Sequence, residues 1–260
     1  MLIGLIEINN FLNKKVLTYF LKIILIFNVK QVSSYTIHVF GDSHGYHCFN
    51  NSESLITQNE VSSFVYSDGK EERIIDFSIY WLGGKTMFAI GRDGLHYLNI
   101  KKYNVKNNDA AVFVFGEVDV RCHIGKQRDQ NKRDLKEIIH SLALNYIATI
   151  KKNRDFYDNL TCVIMSVIPP TDNGYNSAMP YYGSLQERVE LTCILNQTLK
   201  KYAEENGILF LDISPFFSKN DGSLNESLSD NIVHIHPKYN KIIKDKLIVL
   251  LSVNFLISTK

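Results

Sequence analysis

Tyr35-Thr36-Ile37-His38-Val39-Phe40-Gly41-Asp42-Ser43-His44-Gly45 is the stretch on which the fold turns. Its first six residues are mostly β-branched or aromatic, and an apolar run of this length that stops at glycine reads as a buried parallel strand. Three more runs read the same way: Ala111 to Phe115 before Gly116, Thr161 to Val167 before Pro169-Pro170, and Ile208 to Ile213 before Pro215. Glu71 to Trp81 supplies a further strand. Between them, apolar residues recur at three- and four-residue spacing, as helices with one buried stripe require. Leu135, Ile138, Ile139, Leu142, Tyr146 and Ile150 make one such stripe, and Leu191, Ile194, Leu195 and Tyr202 a looser one. Tyr239, Ile242, Ile243, Leu247 and Leu250 make a last helix after Pro237. Strand and helix in alternation predict an α/β fold, a three-layer α/β/α sandwich around a mainly parallel sheet of about five strands.

Composition agrees with one main domain and narrows the function classes. The 260 residues carry 29 Lys+Arg against 27 Asp+Glu, and 45% are hydrophobic. A near-neutral chain of this kind disfavours nucleic-acid binding driven by bulk charge. Cys48, Cys122, Cys162 and Cys193 form no CxxC pair, which argues against a zinc cage or a dense disulfide framework; all four are assigned to packing. Residues 1–34 differ from the rest, with Lys14 and Lys15 ahead of the apolar run Val16 to Val29, which Lys22 interrupts. This is the pattern of a signal peptide or signal anchor. It is also compatible with a loosely structured extension or a helix packed on the domain. The expected division is therefore an extension, 1–34, and one main domain, 35–260. Any membrane contact runs through the extension, and a cytoplasmic location is the simpler expectation beside anchored or secreted ones.

In open parallel sheets the chemistry gathers beyond the carboxyl ends of the strands. The residues to weigh are therefore Gly41 to His44, Gly116 to Arg121, Pro169 to Gly183 and, near the C-terminus, Asp230 to Pro237. A serine at a strand-to-helix turn can act as a nucleophile if a histidine takes its proton and an acid orients that histidine. Ser43, His234 and Asp230 are the candidates. Each has a plainer reading: Ser43 as a turn residue, His234 as a half-buried structural histidine, His236 as a cap before Pro237. Glu117, Asp119 and Arg121 together would make a buried ion-pair cluster. Tyr175, Tyr181 and Tyr182, in the long loop after Pro170, could stack on a sugar or pack locally. His44, His47 and Cys48 have no partner evident from sequence.

Gly41-Asp42-Ser43 after the first strand, the Gly83-Gly84 block, Gly116-Glu117-Val118-Asp119 after a later strand, and Asp230 to His234 near the C-terminus resemble the SGNH (GDSL-type) hydrolases. The resemblance spans Tyr35 to about Leu256. Phe115 to His123 and Gly91 to Leu95 look closer to a divergent branch found in glycan-assembly proteins of bacteria and large DNA viruses; the viral case would mean the host cytoplasm. That branch implies acetyl-group chemistry on a carbohydrate, as an acetylesterase or a sugar acetyltransferase. No cofactor is implied beyond acetyl-CoA as acyl donor in the transferase case. The family pattern implies Ser43 as nucleophile, His234 as base and Asp230 as orienter, with the Ser43 and Gly84 N–H groups as oxyanion donors; Gly116, Asp119, Arg121, Tyr181 and Tyr182, from their place in the loops after the strands, are the further candidates for the oxyanion or binding side.

Two departures stand out. Val118 occupies the place of the family's asparagine and offers no side-chain donor, so either Arg121 substitutes for it or the enzyme is slow. Asp230 lies four residues before His234 where the family has three, and Asn231 holds the usual place, which leaves Asp230, Asn231 or a backbone carbonyl to orient His234. Two other classes stay open. One is a glycan-binding module of SGNH shape with little catalysis. The other is a metallophosphoesterase, suggested by Asp42-x-His44 and His234-x-His236, although that family's Gly-Asp-x-x-Asp and Gly-Asn-His blocks are absent.

Overall fold

The computed structural model describes residues 36–50, 59–67, 72–174 and 180–258. Residues 1–34, Tyr35 and Tyr175 lie outside these, and with them the readings of a signal, anchor or extension and of Tyr175 as a stacking residue.

Six strands form one sheet: β1 Thr36–Gly41, β2 Glu60–Ser67, β3 Glu72–Trp81, β4 Ala110–Val114, β5 Thr161–Met165 and β6 Leu209–Leu211. Their order is β2-β3-β1-β4-β5-β6, and only the β2–β3 pair is antiparallel. The fold is thus an α/β sandwich with a mostly parallel sheet. The strand absent from the sequence reading is β2. It is an edge strand whose Val61 and Val65 face outward while Phe64 and Tyr66 pack inward, so its alternation shows no polar face.

The strands alternate their side chains between two cores. Phe40, Ala111, Phe113 and Ile164 face one of them, under helices α2 (Met87–Asp93), α4 (Leu135–Arg154) and α5 (Leu185–Glu205). Val39, Val112, Val114 and Val163 face the other, under α1 (Ser43–Phe49), α6 (Ser214–Phe217) and α7 (Asn240–Ser258). A seventh helix, α3 (Gly125–Asn131), continues a π-helical segment, Asp119–Ile124. The long helices start where local chemistry says they should. Asp134 accepts the Lys136 and Glu137 N–H groups at the start of α4, and Ser184 with Glu187 forms a capping box at the start of α5. No helix among the described residues is long and apolar enough to cross a membrane.

The connections that carry chemistry leave the same edge of the sheet. Gly41 pairs in register with Trp81 on one side and Val114 on the other, so the turns after β1, β3 and β4 are neighbours. Glycine is needed where they crowd. A Cβ on Gly41 would sit 2.8 Å from the Gly45 Cα, so α1 leaves β1 with backbone against backbone. Gly116 has φ +117°, and a Cβ there would meet Val167 at 2.7 Å and Met87 at 2.8 Å.

Candidate active site

The turn after β1 is built by Asp42, whose carboxylate accepts the His44 N–H at 2.8 Å and caps α1. Capping fixes Ser43 as the first helical residue, at the sheet edge. The partner arrives from the other end of the chain. Ser229 and Ile235 form an isolated antiparallel bridge, and between them the backbone closes a tight loop with Asn231 at φ +64°. Within that loop Asp230 Oδ1 accepts the Ile232 and His234 N–H groups at 2.8 and 3.1 Å, and the Asp230 N–H donates to the His234 carbonyl at 3.0 Å. This loop closes the longer spacing: Asp230 Oδ2 lies 2.8 Å from His234 Nδ1, and His234 Nε2 lies 2.9 Å from Ser43 Oγ. Asp230, not Asn231, holds the imidazole.

Electrostatics follow from that chain of contacts. Burial pushes the Asp230 carboxyl up, but the His234 ring and the two backbone N–H groups outweigh it and hold it at about 2. Burial pushes His234 below the ordinary histidine value, and Asp230 restores only part of the difference. His234 is therefore neutral at neutral pH, with Asp230 ionised beside Nδ1 and Nε2 turned to the serine.

Two histidines that sequence reading left without partners belong here. His47 sits four residues after Ser43, on the same side of α1, and its ring stacks on His234 with centroids 4.1 Å apart and planes 6° from parallel. Burial and the His234 ring push it down to about 4. His44 is buried, with Nδ1 3.1 Å from Asp42 and Nε2 3.5 Å from Glu117. The signal available in the sequence was the i, i+4 spacing of Ser43 and His47.

The Gly116 loop corrects several expectations. Glu117 accepts from Arg121 at 2.9 Å, one turn away, so the Arg121 guanidinium is paired and buried instead of standing free to replace the asparagine. Among the described residues Asp119 joins no ion pair: it is fully buried and accepts the Met87 and Phe88 N–H groups at 2.7 and 3.1 Å, which ties this loop to the start of α2. Burial pushes its carboxyl up to about 7 despite those donors. Val118 is buried and offers only hydrocarbon. Gly84 lies in the turn after β3, which the Leu82 N–H anchors to the Gly41 carbonyl at 2.8 Å. Tyr181 lies over the guanidinium of Arg188 at 4.4 Å and near that of Arg121 at 5.8 Å, with its hydroxyl on the Asn173 carbonyl. The Tyr182 N–H donates to the Arg121 carbonyl, and its ring packs against Gly125. Their loop touches the His234 loop where Gly174 meets Ile232.

The remaining candidates fall outside this constellation. His236 Nδ1 accepts the Lys238 N–H at 3.2 Å and caps the turn after it, so it does not join Asp42 and His44 in a metal cage. Among the described residues, donor atoms of His47, Asp230 and His234 lie within 4.8 Å of one another. Their two imidazoles are stacked, so the in-plane lone pairs run parallel and do not converge on one ion. Cys48, Cys122 and Cys162 are buried as expected, whereas Cys193 is exposed on α5 and plays no packing role. Among the described residues, cavities of about 270 and 420 Å³ are lined by none of Ser43, His234 and Asp230, whereas Asp42, His44 and Glu117 line a small one of about 10 Å³.

No family model and no curated protein matches the chain. Solved structures do. A catalytic mutant of an acetylxylan esterase from Geobacillus stearothermophilus is 14% identical with a TM-score of 0.48, covering 83% of this chain and 93% of that one. A carbohydrate acetylesterase from Sinorhizobium meliloti is 14% identical with a TM-score of 0.47, covering 86% and 100%. A GDSL-like lipase from Bacteroides thetaiotaomicron is 10% identical with a TM-score of 0.48, covering 84% and 88%. These three solved structures are thus named as two esterases and a GDSL-like lipase.

Proposed function

We propose that this chain is a serine-dependent acyl-transfer enzyme that removes or moves acetyl-type groups on a carbohydrate. One observation carries the reading: the unbroken contact chain from Asp230 through His234 to Ser43, at 2.8 and 2.9 Å, between residues 191 positions apart in sequence. A nucleophile, a neutral base and an ionised orienter are the three parts that acyl transfer needs. The Ser43 Oγ would attack the acyl carbon as its proton passes to His234 Nε2. The Ser43 and Gly84 N–H groups would receive the negative oxygen, and His234 would return the proton to the leaving alcohol. The acetyl group then rests on Ser43 until water or a sugar hydroxyl takes it, and His234 acts as base again. Transfer from acetyl-CoA follows the same two halves, with the CoA thiol leaving in place of the alcohol and taking the proton from His234, and a sugar hydroxyl in place of water as the acceptor.

The carbohydrate part rests on Tyr181 and Tyr182, in the loop that meets the His234 turn at Gly174 and Ile232. Intact mass after incubation with p-nitrophenyl acetate and, separately, with acetyl-CoA tests the reading. An added acetyl group is expected with at least one donor and none with Ser43→Ala; a Ser43→Ala protein that turns over the ester at the wild-type rate would overturn it.

A further inference from the structure

His44 follows Ser43 in the chain, and its ring lies beside the triad without belonging to it, 4.7 Å from the ring of His234. Each of its nitrogens faces a carboxylate: Nδ1 faces Asp42 Oδ1 at 3.1 Å, and Nε2 faces Glu117 Oε2 at 3.5 Å. A neutral imidazole has one N–H and one lone pair, so one carboxylate would be left facing a lone pair; a protonated ring turns an N–H towards each, hydrogen-bonded to Asp42 and held to Glu117 by charge across 3.5 Å. Charge counting agrees. Asp42 and Glu117 are both buried, and Arg121, paired with Glu117, supplies one positive charge. Only a charged His44 makes the group neutral, and an uncompensated buried charge is costly.

The other titratable groups nearby do not supply the missing positive charge. His47 and His234 are held below the ordinary histidine value, Asp230 is bound to His234, and Asp119, pushed up to about 7 by burial and by the Asp42 and Glu117 carboxylates, adds only further negative charge where it ionises. Burial alone would push His44 down, yet Asp42 and Glu117 hold it above its ordinary value.

We infer that His44 is a positioning residue, a buried imidazolium clamped between Asp42 and Glu117 whose charge keeps His234 in its proton-accepting form. The catalytic half of this inference rests on the serine reading; the clamped charge does not.

Histidine side-chain NMR on the full chain tests the charge, with the His44 signals assigned by their loss in His44→Asn. A doubly protonated His44 at neutral pH is expected, beside neutral His47 and His234; a neutral His44 would overturn the inference. If His44→Asn does not fold, Glu117→Gln serves, since removing one flanking carboxylate should make His44 lose its proton at lower pH than in the wild type. An unmoved His44 would count against the clamp. Turnover of p-nitrophenyl acetate tests the consequence. Without the cation His234 holds its proton to higher pH, so His44→Asn should lose about tenfold or more in kcat/KM near pH 6 and clearly less near pH 9. Equal fractional losses at both would leave only a structural role and overturn the positioning claim. Were wild-type turnover independent of Ser43, that claim would fall with the serine reading, and the titration would still uphold or overturn the clamped charge.

Discussion

At the scale of single residues the site makes two sharp demands. Because burial holds His234 below the usual histidine value of about 6.5, the acid limb of kcat/KM should fall below that pH. A limb above it would mean that another group carries the base. The sign for stability is the same: the folded chain protonates His234 less readily than the unfolded chain, so its contribution is intact above about 6.5 and is lost as the pH falls from there through the lower value that His234 has in the folded chain. Asp230 adds a second loss at lower pH. Its contribution is present above its ordinary value of 3.8 and disappears as the pH falls towards about 2. Replacing Asp230 with Asn removes the acceptor that fixes the tautomer, and turnover should drop about 10⁴-fold, as for a triad aspartate elsewhere. Arg121→Met breaks a buried pair with Glu117, so a stability loss of about 3 kcal/mol is expected in chemical denaturation. A melting temperature unchanged from wild type would show that Glu117 finds another partner.

At the scale of elements, the turns matter more than the strands they follow. Gly41→Ala would push a methyl group into the backbone of Gly45, and nothing flexible is there to give way. The variant should lose both stability and ester turnover, because α1 carries Ser43, His44 and His47 away from β1 as one body. Normal turnover would show that this helix can shift without moving its first residue. Asp119→Asn places an amide where two backbone N–H groups converge, so one of them loses its acceptor, at about 1–3 kcal/mol in thermal or denaturant unfolding. Four buried strands and three long helices were legible from apolar runs and stripes, since burial on both faces leaves a continuous signal in the chain. The short helix α2 and the π-helical segment were not. Their form depends on contacts with other elements, such as Asp119 capping α2 from a distance of 31 residues or more.

At the scale of the whole molecule, the sheet separates two cores, and Phe113 fills the one under α2, α4 and α5 with no exposed surface. Phe113→Ala should cost about 3–5 kcal/mol in denaturant unfolding. A smaller loss would mean that the helices close over the space. The sequence by itself determined the α/β class, the parallel core strands and the candidate trio of Ser43, His234 and Asp230. Periodicity, glycine stops and residue chemistry are local properties, written into any short stretch of chain. Only the tertiary structure decided that Asp230 reaches His234 across four residues, that Arg121 is spent on Glu117, and that His44 and His47 crowd the base. Those outcomes depend on which turns the sheet brings side by side, and a contact between residue 43 and residue 234 is set by packing across the whole fold, which no local pattern encodes.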